Sequence, residues 1–152
     1  MPKIPLRDLY SGVPVLRNIA KAKLAPNAAM YIAQLLRAVD DAVNFYEGLR
    51  LDKLGTLADR DDDGNIKWTE VAGENGAKHQ QVVYKSPEAE KEMEDFAEEL
   101  LSTEIEIPHR IKSWFLNPGP GNTGGYALSP EECARLGGLI SYKELAKIKD
   151  ED

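Results

Sequence analysis

Five oxygen-bearing side chains recur at a spacing that could do chemistry: Asp59, Asp61, Asp63, Asn65 and Glu70, with Gly64 among them. They fill the first, third, fifth, seventh and twelfth places of a twelve-residue loop, and glycine takes the sixth, where an EF-hand turns sharply around Ca²⁺. Ile66 at the eighth place also fits that pattern. The alternative is a tight acidic turn over Asp61-Asp62-Asp63-Gly64-Asn65 that leads into a strand.

Three features favour the turn. An EF-hand needs a helix leaving the loop, yet Val71-Ala-Gly73-Glu-Asn-Gly76 is poor helix material. No second loop of this pattern stands elsewhere in the chain to pair with it. Ile66 and Trp68 suit one face of a strand, with the indole turned inward. The expected cofactor set is therefore empty, and Ca²⁺ held by these five residues is the alternative.

Other chemistry has little material. Cys133 is the single cysteine and lies in a helix-like context, and His79 and His109 are the two histidines, neither beside a nucleophile in sequence. Carboxylates are abundant, but helix faces and turns account for them, and no acid–base pair is singled out by spacing. The 117–125 segment, Asn-Pro-Gly-Pro-Gly-Asn-Thr-Gly-Gly, lacks the Lys-Ser/Thr ending of a phosphate loop. The chain is expected not to be an enzyme.

The elements that must position these groups follow from periodicity. Ile32, Leu35, Leu36, Val39, Val43, Tyr46 and Leu49 recur at helical spacing, predicting a long helix over 27–54 that ends at Gly55. A shorter helix over 15–24 precedes it, the two forming an antiparallel pair. Ile66–Trp68 and Gln81–Tyr84 read as a hairpin around the Asn75-Gly76 turn.

Ser86-Pro87 opens a helix whose apolar stripe is Met93, Phe96, Ala97, Leu100 and Leu101. Its early turns carry Glu88, Glu90, Glu92, Glu94 and Asp95. Residues 103–107 alternate as a short strand, and Trp114 and Phe115 follow as core candidates. Capping boxes at Ser129 and Ser141 start two closing helices. The expectation is one α+β domain over 1–152, mainly helical: a helical pair, a small β element of hairpin plus one strand, and capped C-terminal helices.

The chain has 152 residues, 42% hydrophobic and 30% charged, with a net charge of −7. A core of ordinary size is affordable at this length. The negative balance disfavours binding to nucleic acid phosphates or to an anionic membrane surface. The N-terminus, broken by charges, does not read as a signal peptide, and no run approaches ~18 apolar residues.

Several short pieces, in order, resemble a known group. They are Ala22-Lys23-Leu24-Ala25-Pro26, Asn44-Phe45-Tyr46-Glu47, Asp62-Asp63-Gly64-Asn65, Phe96-Ala97-Glu98-Glu99-Leu100-Leu101, Glu104-Ile105-Glu106-Ile107 and Leu128-Ser129-Pro130-Glu131. Their order is similar to that in a family of small tailed-bacteriophage proteins with no assigned activity. The 117–125 loop looks like an insertion relative to that pattern. The resemblance implies a phage origin and a hairpin over 62–85, and points to a role in the virion or its assembly. It supplies no catalytic residue.

The expected function is thus a non-enzymatic phage protein acting through protein–protein contacts, in the virion or the host cytoplasm. Partners would be other phage or host proteins, with a homo-oligomer left open. Trp114, Asn122 and Tyr126 around the 117–125 loop are the candidate contact residues. A host-directed inhibitor presenting Glu90 and Glu94 to a basic site is the alternative.

Overall fold

The computed structural model describes residues 1–112, 115 and 127–140. Among these, four helices and two separate two-stranded antiparallel sheets give the mainly helical α+β fold. The expected sites Trp114, Asn122 and Tyr126, the 117–125 loop and the helix start at Ser141 lie outside the described residues. The chain divides into two compact units, Met1–Phe45 with Leu101–Asp152, and Tyr46–Leu100.

In the first unit, β1 (Lys3–Pro5) runs straight into α1 (Leu6–Lys21). Leu6, Leu9, Val13, Leu16 and Ile19 form one buried stripe at three- and four-residue spacing. The helix therefore starts nine residues before the expected Val15. Pro14 lies inside it on the exposed side, and burial of the opposite face carries the helix past the bond that proline cannot make.

After residues 22–25 comes α2 (Pro26–Leu57), which buries Ala28, Ile32, Leu35 and Val39 in its first half. Arg17 of α1 reaches Asp40 of α2 at 3.3 Å, both on the surface.

The strand β4 (Glu104–Glu106) pairs with β1, Ile4 opposite Ile105. This corrects the expected β element: the 103–107 strand does not join the hairpin but takes the N-terminus as its partner. Backbone bonds from Leu6 to Thr103 (2.8 Å) and from Ile107 to Pro2 (3.0 Å) extend the pairing at both ends.

The last described helix, α4 (Pro130–Leu136), starts with the full Ser129/Glu132 capping box and gives way to a 3₁₀ turn at Gly137–Leu139. Gly12 lets this turn approach α1: a Cβ there would stand 2.4 Å from Leu139. Asp8 Oδ2 accepts the Gly138 N–H at 3.0 Å.

In the second unit, the end of α2, the hairpin of β2 (Trp68–Ala72) with β3 (Lys78–Val82), and most of α3 (Pro87–Ser102) surround a small core. Leu54, Ala58 and Met93 form it, with Leu57, Ile66, Val82, Tyr84 and Phe96 packed alongside. Ser86 caps α3 as expected, its Oγ accepting the Ala89 N–H at 3.1 Å.

Gly55 does not end α2. Its carbonyl accepts Arg60 Nη2 at 2.8 Å, so a cation from the following loop satisfies the helix terminus two residues later.

Candidate functional site

The acidic loop closes on itself through its own backbone. Asp61 N–H donates to the Asn65 carbonyl at 2.9 Å, and Gly64 N–H donates to the Asp61 carbonyl at 3.0 Å. Gly64 has φ +82°, which only glycine adopts without strain. Asp61 Oδ1 accepts the N–H groups of both Asp63 and Asn65 at 3.0 Å, and Asp59 Oδ1 accepts that of Arg60 at 2.9 Å. Arg60 Nη1 then donates to the Gly64 carbonyl at 3.0 Å, tying the turn to the end of α2.

The five candidate metal residues are thus placed as follows. Asp59, Asp61, Asp63 and Asn65 share one turn, with the Asp61 carboxylate engaged by backbone N–H groups. Glu70 lies on β2 opposite Gln80. The chain leaves the loop as a strand, where an EF-hand has a helix. Among the described residues no three His, Cys, Asp or Glu side chains are grouped as a metal would require.

Trp68 corrects the expected inward indole: it is 52% exposed. The reason lies at Lys67, where the ladder changes partner. Lys67 N–H donates to the Asp59 carbonyl and its own carbonyl accepts from Val83 N–H, both at 2.9 Å. Ile66, paired with Arg60, belongs to the turn and packs on the Leu54 cluster, whereas Trp68 begins the hairpin proper, paired with Val82. The two-residue period that would align their side chains is broken between them.

Beyond Trp68 the hairpin is solvated on both faces. Four of the five residues in each strand are exposed. The turn between them is held by Gly73 N–H to the Ala77 carbonyl at 2.7 Å and by Gly76 at φ +75°. An open groove of about 480 Å³ lies beside it, lined by Gln81, Tyr84, Lys85, Pro87 and Glu90 among others.

Burial, then the carboxylates of Glu90 and Glu94, push the Tyr84 phenol above its ordinary value, against a smaller opposing effect of Arg50. Glu90 and Glu94 themselves are exposed on α3, while Glu92 is bonded to Lys53 at 2.9 Å.

Two features of the first unit escaped sequence reasoning. An open groove of about 570 Å³ is lined by Ala22, Leu24, Ile32, Leu36, Arg37 and Asp40 among others. Nearby in sequence, Tyr31 stacks on His109 with ring centroids 4.0 Å apart, and His109 Nε2 donates to the Tyr31 carbonyl at 3.1 Å. The Tyr31 hydroxyl donates to the Arg110 carbonyl and accepts the Lys112 N–H. Burial is the main cause that holds His109 below its ordinary value; Lys112 adds to it, and the Tyr31 bond opposes it. The signal available in sequence was a lone His after a strand-ending proline, which does not name its partner.

Comparison of the chain with protein-family models, with curated proteins and with solved structures finds no match. No described helix is long and apolar enough to cross a membrane.

Proposed function

We propose that the chain is a non-enzymatic tailed-bacteriophage protein that works by contact with other proteins, in the particle or during its assembly. The observation that carries this reading is the hairpin of the second unit, exposed on both faces and bearing Trp68, which is 52% exposed. A two-stranded hairpin is marginal by itself in water, and a large exposed aromatic is the residue type that anchors protein interfaces. The ordered short segments that resemble the phage family support the source.

Mass spectrometry of purified particles and of assembly intermediates tests the reading. The chain is expected in one or both; its absence from all of them removes the role.

A second reading is favoured by the acidic face of α3. Glu90 and Glu94 stand exposed beside the Tyr84 phenol, a surface suited to a basic site on a host protein. Capture of a host protein that is lost on Glu90→Lys with Glu94→Lys, while particles lack the chain, would select this alternative.

A further inference from the structure

The ladder of the hairpin fixes which backbone groups are spare. Val83 N–H bonds across to the Lys67 carbonyl, and Gly73 N–H bonds across to the Ala77 carbonyl. In an antiparallel pair, bonded positions alternate with positions whose N–H and C=O point away from the partner. With Trp68 opposite Val82 and Ala72 opposite Lys78, the odd-numbered residues face each other. Lys78, Gln80 and Val82 then direct their N–H and C=O groups to the outer edge of β3, as Trp68, Glu70 and Ala72 do on β2.

The return segment does not cover the β3 edge. Asp59 N–H donates to the Val83 carbonyl at 2.7 Å, and Lys85 N–H donates to the Leu57 carbonyl at 3.0 Å. Residues 57–59 therefore continue on the side of β3 already occupied by β2. Among the described residues no other strand pairs with either outer edge.

We propose that two copies of this chain associate through β3, antiparallel about a two-fold axis at Gln80, forming a four-stranded sheet. The outward groups match in register: Gln80 faces Gln80, and Lys78 of each copy faces Val82 of the other. The same axis on β2 would set Glu70 against Glu70, two like charges directly opposed, which is destabilising. Gln80 facing itself carries no charge and can bond amide to amide.

The β3 pairing also lays the aliphatic stem of Lys78 next to Val82 and toward the exposed Trp68 on the same face. Edges of this kind are ready templates for strand addition. Association of the purified chain in this way does not depend on any role in a particle.

Sedimentation velocity over a concentration series is the test. The contact is small, so a dissociation constant on the order of 10–100 μM is expected. Gln80→Glu and Gln80→Lys should each weaken association at least ~10-fold, by placing like charges across the axis. Mixed in equal amounts, the two variants should associate again as a heterodimer, which a mere loss of folding could not produce. Glu70→Lys should leave association of the parent chain within about 2-fold, being on the other edge.

A single monomeric species up to about 1 mM, well above that dissociation constant, would overturn the proposal. So would a dimer indifferent to both Gln80 variants, a mixture that stays monomeric, or a dimer lost on Glu70→Lys.

Discussion

In the unit built from residues 1–45 and 101–152, Leu6, Leu9, Leu16, Ile19, Ile107, Ile111, Phe115, Leu136 and Leu139 are all sealed from water. In the unit of residues 46–100 only Ala58 is sealed to that degree, Leu54, Ala89 and Met93 being buried but not fully closed off, and much of the order is backbone hydrogen bonding around the 59–67 turn. The first gathers side chains about a hundred positions apart. The second is made of neighbours in sequence. Its turn is held locally by Gly64, Asp61 and Arg60, and its surface is left open along the hairpin.

The sharpest way to break that comparison is to truncate each core in turn. Leu16→Ala should cost about 3–4 kcal/mol in urea unfolding, and Met93→Ala, in the smaller cluster, about 2 kcal/mol. A larger loss for Met93 would invert the assignment of the main core.

Next in size, Asp8→Ala leaves the Gly138 N–H without its acceptor and should cost about 1–2 kcal/mol, with Asp8→Asn costing less because it keeps an oxygen. Urea unfolding of both variants checks this.

Asp61→Ala should cost about 1 kcal/mol and act locally. Hydrogen exchange would quicken at Asp63 and Asn65, whose N–H groups it accepts, and leave the buried helices of the first unit protected. Addition of millimolar Ca²⁺ to the parent chain should not raise its melting temperature; a rise abolished by Asp59→Ala would restore the EF-hand reading.

The smallest effect concerns pH. His109 is held below its ordinary value in the folded chain, so folding disfavours its protonated form. Its contribution is complete above about pH 6.5, the unfolded value, and is lost as pH falls through the lower folded value. Melting temperatures of the parent chain and of His109→Gln between about pH 7.5 and about pH 5, a range that brackets that value, should converge or cross on the acid side.

Much of the architecture was legible because its signals are local. Ser86-Pro87 and the Ser129/Glu132 box name helix starts through side chains that reach only three residues. The Ile32–Val39 stripe marks a helix whatever it packs on, although Gly55, a plausible stop, was carried through because Arg60 supplies the terminal bond. Asp61–Asn65 was legible as a turn for the same reason: its bonds are its own.

The side that Trp68 takes is not legible in the sequence, because it depends on the partner exchange at Lys67, a three-segment junction that no period of two reveals. The Tyr31–His109 stack joins residues 78 positions apart, and nothing near either names the other.

By itself the sequence determined that helices stand near these places, the caps at Ser86 and Ser129, the acidic turn and the fold class, since propensity, capping and periodicity act within a few residues. Tertiary structure decided that Glu104–Glu106 pairs with the N-terminal strand rather than with the hairpin, and that the core divides in two. It also decided that Trp68 remains in water. Those outcomes depend on which distant surfaces meet, and contact between distant segments is settled by the packing of the whole chain.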